Sequence, residues 1–359
     1  MNKHIFYIAA ACVALASCVK NEVRVNAPDQ EITFQTVSTK AGTAFNTNHK
    51  FYSYAYFLEK DKTWNNDFAS AKPYIDNALI AFDPSTGTGN GFWAPEAPNT
   101  YYYWPKQGSL TFFAWTDDTN DPKVGTGAAV SCAPNTGIKI EKYSVKDNRN
   151  KDILVAEIAK DKTANETATG AWKNGVPTVF RHALAKVEFK VNKRTNYPNV
   201  TFKVKKITLT KVSTRGTFTQ CQSTPNENWG WNGWGLQEDL PVFTSAAGKE
   251  VTKTADSTPE EFDALTPDPN TDYHIVRPQV LRDKIDPTIT IEYEIITNYT
   301  GTAVTETVKE TKKLNEIYKS DWECNKKYVL GITLGLNEIY WDPSIEGWEN
   351  GDVTNIPFY

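Results

Sequence analysis

Alternation of apolar and polar residues begins at residue 31 and continues, interrupted by turns, almost to the end of the chain. Ile32 and Phe34 fall on one face of a predicted strand, and Thr33 and Gln35 fall on the other, because successive side chains of a strand point to opposite faces. Further strands are predicted where short apolar runs are bounded by Gly, Pro, Asn and Asp. In the first half these are 51–58, 101–104, 110–115 and 153–156.

The second half of the chain shows the same alternation of apolar and polar residues. Val187, Phe189 and Val191 alternate with polar residues, and 204–210 and 289–296 continue the pattern. Later strands are predicted at 274–276, 304–312, 328–336 and 339–341.

A polar stretch at 160–177 divides the two halves, and its glycines are typical of an interdomain linker. We therefore predict an all-β chain of two tandem antiparallel β-sandwiches, with an N-terminal domain over 31–165 and a C-terminal domain over 178–359.

One short helix is predicted in the second domain. Ser257 can cap it, Pro259 suits its first turn, and Glu260, three residues after Ser257, completes a capping box. Phe262 and Leu265 would then be the apolar positions of this helix.

The first 18 residues have the pattern of an export signal. Lys3 supplies a positive charge, an apolar run follows over 5–15, and small residues lead to Cys18. The run is too short for a membrane span and lacks stop-transfer flanks. Leu15-Ala16-Ser17-Cys18 resembles a bacterial lipobox, which implies that Cys18 is lipidated and becomes the new N-terminus. Residues 19–30 would form a polar stalk, and an ordinary cleaved signal is the alternative.

Composition excludes several classes of protein. A net charge of −4 without long basic runs argues against nucleic acid as a partner. Beyond the signal and Cys18, only Cys132, Cys221 and Cys324 remain, too few for a disulfide scaffold. No Cys/His cluster predicts a metal site, and no cofactor is expected. The 11 Trp, 17 Tyr and 17 Phe against one Met favour rigid strands over adaptable helices.

Five segments form an ordered set along the chain. In chain order they are Tyr103-Trp104-Pro105, 110–114 (LTFFA), 152–156 (DILVA), 180–189 (FRHALAKVEF) and 322–328 (WECNKKY). The segment 180–189 is the most specific of the five. The segment 322–328 precedes the last strands. Together with the lipobox, this set resembles the fimbrillin-like proteins of Bacteroidetes, which are the subunits of type V pili. The fold of that family is two transthyretin-like β-sandwiches, in agreement with the predicted strands.

The resemblance implies a structural or adhesive pilus subunit at the cell outer membrane and surface. Its partners would be other pilin subunits, the outer membrane through the lipid anchor, and a surface glycan or protein of a host or bacterium. In the family, a surface protease removes the first strand of the N-terminal domain. An extended segment of a neighbouring subunit then fills the opened groove by β-strand addition.

Carried onto this sequence, the expendable strand would be 31–38, with Ile32 and Phe34 as buried plugs. The cut would fall near Lys40 and Ala41, where the best-known family members have Arg. The replacement strand would come from the tail, 339–359, and its apolar plugs would be Ile339, Trp341, Ile345 and Trp348.

A Trp-rich stretch at 228–235 suggests an alternative function. Trp229, Trp231 and Trp234 stand among glycines and asparagines, and exposed indole faces can stack on sugar C–H surfaces. The chain would then be a lipid-anchored, outer-membrane glycan-binding protein. Alternatively the rings fold back over the sandwich, as large aromatic side chains usually do.

No catalytic residue is predicted, and we expect no enzyme. His182 lies on a strongly alternating strand, and neither a G-x-S-x-G nor a Cys/His signature accompanies it. A core or edge histidine that hydrogen-bonds its neighbours fits this position better. Acidic pairs such as Asp117-Asp118 lack the spacing of a calcium loop.

Overall fold

The structure is a computed structural model of the chain. It describes residues 31–34, 37–39, 45–84, 91–96, 101–164, 175–223, 225–233, 237–256, 261–282 and 286–348. The predicted export signal and the stalk at 19–30 lie outside the described residues. Strands dominate the described residues, which confirms the predicted all-β class.

The strands are defined in chain order. They are β1 (Val37–Thr39), β2 (Phe51–Leu58), β3 (Lys72–Asp83), β4 (Phe92–Pro95), β5 (Ser109–Thr116), β6 (Ala129–Ala133), β7 (Gly137–Ser144), β8 (Leu154–Ala156), β9 (Ala159–Lys162), β10 (Thr178–His182), β11 (Ala185–Lys193), β12 (Val200–Ser213), β13 (Arg215–Thr219), β14 (Gly230–Asn232), β15 (Gln237–Glu250), β16 (Asp263–Leu265), β17 (Ile275–Val276), β18 (Thr288–Thr297), β19 (Val304–Lys313), β20 (Lys326–Leu334) and β21 (Ile339–Gly347). The helices are α1 (Trp64–Asp67), a 3₁₀ turn at Phe68–Ser70, and α2 (Leu314–Ile317).

These strands form four sheets. The largest has the order β1-β10-β8-β5-β2-β3-β4, with β9 also paired to β5. The others have the orders β14-β13-β7-β6, β16-β11-β20-β21 with β17 beside β11, and β15-β12-β18-β19. The pairing is antiparallel except between β1 and β10 and between β11 and β20.

Alternation along β12 is interrupted by a β-bulge. Val200, Phe202 and Val204 are buried at even positions, whereas Ile207 and Leu209 are buried at odd positions. The register against β18 shifts between Val204 and Lys206, and the extra residue of a bulge moves the alternation by one position. The apolar face therefore stays toward the core along the whole strand.

Two hydrophobic clusters fill the interior. The larger, the main cluster, draws side chains from Tyr54 to Trp348. The smaller, the N-terminal cluster, comprises Ile32, Phe34, Phe45, Phe51, Ala55, Ile75, Ile80, Trp93, Trp104, Leu110, Phe112, Ala114, Leu154, Ala156, Ala159, Val176 and Phe180.

Strand β5 lies between these clusters and is buried along its whole length. Leu110 and Phe112 belong to the N-terminal cluster, and Phe113 and Trp115 belong to the main cluster. Because successive side chains face opposite ways, β5 carries a core on each face. This explains why the sequence of β5 is a continuous apolar run.

Strands on both sides of the predicted linker share two sheets. Strand β10, which follows the linker, pairs with β1 and β8, and β13 pairs with β7. Phe180 of β10 accordingly lies in the N-terminal cluster. The domain boundaries at 165 and 178 stay predictions.

Two predicted elements are wrong. Residues 101–104 form no strand, and Tyr103 contributes only an isolated bridge to Glu31. The body of the predicted helix, Asp263–Leu265, is instead strand β16, in which Leu265 is the partner of Phe189 on β11. Strand pairing with β11 overrides the local helix signals. The capping residues 257–260 lie outside the described residues, and the short helix of the second half is α2.

Candidate functional site

The N-terminal segment, defined as residues 31–34 together with β1, covers two strands of the largest sheet. Phe34 exchanges backbone hydrogen bonds of 2.8 and 3.1 Å with Trp93 of β4, and β1 pairs in parallel with β10. Without this segment, β4 and β10 would be the two edge strands of that sheet. The segment therefore covers both edges, each of which would otherwise present unpaired backbone groups.

Two apolar side chains of the segment enter the N-terminal cluster. Ile32 is 2% exposed and Phe34 is 1% exposed. The Phe34 ring lies edge-on to Phe51 and Phe112, with centroid distances of 5.5 and 5.8 Å. The inward orientation that we expected from the alternation is present. Lys40 and Ala41 lie outside the described residues.

The C-terminal tail forms β21, an edge strand of the sheet β16-β11-β20-β21. It pairs with β20 in a regular antiparallel register from Ile339 to Gly347. Ile339, Trp341 and Ile345 occupy one face of β21 because they are separated by even numbers of residues. Ile339 and Trp341 pack on the main cluster, but Ile345 is 45% exposed.

Trp348, just after β21, fixes the tail to β10. Its ring stacks on the ring of His182 with a centroid distance of 3.8 Å and an interplanar angle of 4°. The backbone N–H of Trp348 donates to the carbonyl of Asn325, whose side chain accepts from the backbone N–H of His182. No local sequence pattern indicates this contact, because its two rings are far apart along the chain.

His182 is a buried structural histidine, as we expected from its position. Its Nδ1 pairs with the carboxylate of Asp152, and its ring is covered by Trp348. These contacts give the polar ring of His182 a structural role in the core.

The free thiols are also poorly suited to nucleophilic chemistry. Cys132, Cys221 and Cys324 form no disulfide. Burial raises the pKa of Cys221 to about 11 and the pKa of Cys324 to about 12, which disfavours the thiolate that nucleophilic chemistry requires.

No group of three or more His, Cys, Asp or Glu side chains within the described ranges is arranged to hold a metal ion. The helices of this part of the chain are too short to cross a membrane.

Trp229 and Trp231 are half-buried and turn toward the core. Both rings contact Phe218, at centroid distances of 5.5 and 5.7 Å. The indole N–H of Trp231 donates to the carbonyl of Ala183 at 2.6 Å, whereas the indole nitrogen of Trp229 is buried without a partner. Trp234 lies outside the described residues. A glycan platform formed by the three rings stays a prediction.

The two indoles differ in a way that denaturation can measure. Trp231→Phe should lower the free energy of unfolding by about 0.5–1.5 kcal/mol more than Trp229→Phe, because only Trp231 loses a hydrogen bond. Trp229→Phe is the matched control, since it removes a similar ring volume and an unpartnered donor. Equal shifts in the urea midpoint of the two variants would contradict this assignment.

A family model described as fimbrillin-like matches residues 37–348. The crystal structure of a fimbrial protein from Bacteroides vulgatus superimposes with a TM-score of 0.63 at 18% identity, covering 89% of this chain and 100% of that one. This match shows the same fold. No curated protein matches the sequence.

Two further solved structures are similar at lower scores. A putative cell adhesion protein from Bacteroides uniformis has a TM-score of 0.47 at 13% identity, over 90% of this chain and 100% of that one. The C-terminally truncated tip fimbrial protein Mfa3 from Porphyromonas gingivalis has a TM-score of 0.38 at 10% identity, over 89% and 100%.

Proposed function

This chain belongs to the fimbrillin-like family, and on that premise we propose that it is a structural or adhesive pilus subunit, exported as a lipoprotein and assembled by strand exchange. Family membership supports a pilus-subunit role, assembly with other pilin subunits and a location at the cell surface. The role requires no catalytic step.

The observation that carries the assembly proposal is the position of the N-terminal segment. Residues 31–34 and β1 cover both β4 and β10, and Ile32 and Phe34 fill the N-terminal cluster. A cut near Lys40 would separate this segment from the rest of the chain. Its departure would leave an apolar groove with unpaired backbone donors and acceptors, which is unfavourable in water.

A strand from a neighbouring subunit would then fill the groove by β-strand addition. The tail fits this role because Ile339, Trp341 and Ile345 present apolar side chains on one face, as the departing segment does with Ile32 and Phe34. In the free subunit the tail is paired with β20. Exchange therefore replaces one set of strand hydrogen bonds with another, and the new burial of Ile345 adds to its driving force.

Polymerisation after a controlled cut tests the proposal. A recognition site for a sequence-specific protease is placed at 40–41, the purified protein is cut, and polymers are followed by size-exclusion chromatography. The cut protein should polymerise, and deletion of the tail from Ile345 should abolish the polymers. Ile345→Asp should also abolish them while leaving the monomer folded, because Ile345 is 45% exposed in the free subunit.

Tyr340→Asp is the matched control. Tyr340 is 42% exposed on the opposite face of the same strand, so this variant should polymerise normally. Polymerisation of the tail-deleted protein would exclude exchange by this tail. If Ile345→Asp and Tyr340→Asp lost polymer formation to the same extent, the apolar face of the tail would not be what binds in the groove.

A further inference from the structure

A cavity of about 210 Å³ lies beside the Trp-rich stretch, apart from the N-terminal segment and the tail. Its lining includes residues from three parts of the chain. They are Lys211 and Ser213 at the end of β12, Trp231 and Asn232 of β14, and Arg277 and Gln279 after β17. It is smaller than the roughly 300–1,000 Å³ of pockets for drug-sized ligands. A single small ring with its substituents fits this space better than a longer chain.

Arg277 is a buried cation for which the described residues supply no counter-ion. Its side chain is 5% exposed, and no carboxylate pairs with it in the part of the chain that the structure describes. Its Nη1 donates to the carbonyl of Gly233 at 3.0 Å, and its Nε has no partner. Burial lowers its pKa to about 10. A guanidinium has five N–H donors, and leaving a buried charge unpaired is costly.

The surrounding chain makes room for this guanidinium. A Cβ atom at Gly216 of β13 would lie 2.6 Å from Nη1 of Arg277, so a larger residue at this position would force the guanidinium to shift. Gln279 holds the neighbouring backbone, since its side chain accepts from the N–H of Ser213 at 2.8 Å and donates to the carbonyl of Arg277 at 3.1 Å. The neighbouring residues therefore hold Arg277 in this position.

A second buried polar group in the same cavity is unused. The hydroxyl of Ser213 has no hydrogen-bond partner among the described residues, and Ser213 is 5% exposed. Lys211, also in the lining, is exposed and adds a second positive charge. The cavity thus combines a buried guanidinium and a free hydroxyl, both of which can donate hydrogen bonds to an anion.

We propose that this cavity binds a carboxylate-bearing sugar residue of the uronic or sialic acid type. The planar guanidinium of Arg277 matches a carboxylate, and the Ser213 hydroxyl donates to the same group. The half-buried ring of Trp231 offers an apolar surface to the sugar ring, and the amide of Asn232 is available to its hydroxyls. This ligand adds to the proposed pilus role and does not depend on strand exchange.

Calorimetric titration of the purified full chain tests the site. Glucuronate and N-acetylneuraminate should bind, whereas glucose, which lacks the carboxylate, and acetate, which lacks the ring, should each bind at least about tenfold more weakly. Arg277→Met should weaken binding of the acidic sugars about thirtyfold or more, and Ser213→Ala about fivefold. Arg282→Met is the matched control, because Arg282 is an exposed arginine nearby in sequence and its loss should leave affinity unchanged.

The melting temperature separates a binding role from a structural one. Arg277→Met should melt no lower than the unaltered protein, because it removes an uncompensated buried charge. A lower melting temperature with unchanged sugar affinity would assign Arg277 a structural role and overturn the proposal. If Arg277→Met does not fold, unchanged affinity in Ser213→Ala would overturn it instead. Acetate or a peptide with a C-terminal carboxylate binding as tightly as the acidic sugars would also overturn the sugar assignment.

Discussion

Replacing Phe34 with alanine should destabilise the N-terminal cluster of the uncut chain by about 3–5 kcal/mol, the usual cost of truncating a fully buried aromatic side chain. Phe34 is almost completely buried, and its ring packs against Phe51 and Phe112. Ile32→Asp should also cost several kcal/mol, because it buries a carboxylate without a partner.

Urea denaturation followed by tryptophan fluorescence measures this effect. Thr33→Ala is the matched control, since Thr33 is half-exposed between the two plugs and should shift the midpoint little. The chain contains two hydrophobic clusters, which can unfold in separate transitions. The urea midpoints of the two variants are therefore compared for the transition in which the N-terminal cluster unfolds. After a cut at Lys40, Phe34→Ala should release the segment faster than Thr33→Ala. Equal midpoints for the two variants would remove the physical basis for an expendable, plugged strand.

Cys18→Ala should release the protein from membranes or block its processing. The lipobox-like Leu15-Ala16-Ser17-Cys18 implies lipidation of Cys18. Each buried methylene of an acyl chain contributes about 0.8 kcal/mol, and stable anchoring requires at least two chains or a second signal. Because the lipid on Cys18 is the proposed anchor, the expected effect on membrane association is nearly complete.

Detergent-phase partitioning of cell fractions measures the anchoring. Cys12→Ala is the matched control, because Cys12 lies within the apolar run of the same signal and should leave partitioning unchanged. Unchanged partitioning of Cys18→Ala would contradict the lipoprotein proposal. Mass spectrometry of the N-terminus of the surface protein then distinguishes a lipidated Cys18 from a chain that starts at Ala41.

Local alternation was sufficient to predict the all-β class and the inward faces of many strands. Ile32 and Phe34, and Val187 and Phe189, are buried as their spacing indicated, because a strand with one buried face must repeat every two residues. Alternation predicts strands well, but it carries no information about partners. The pairing of β1 with β10, and the bridge between Phe34 and Trp93, join residues that no local pattern connects.

The predicted helix at 257–265 shows the limit of local signals. Its capping residues favoured a helix, but Leu265 pairs with Phe189 in a sheet, because strand pairing and burial there outweigh a weak helical preference.

The sequence by itself determined which residues are apolar, where turns interrupt the strands, and the ordered motifs by which the family was identified. Tertiary structure alone decided that one segment covers both edges of a sheet, that Trp348 stacks on His182, and that Arg277 is buried with no counter-ion among the described residues. The physical reason is the sequence separation over which each effect acts. Periodicity and capping act within a few residues, whereas strand pairing, ring stacking and desolvation depend on residues brought together from distant parts of the chain.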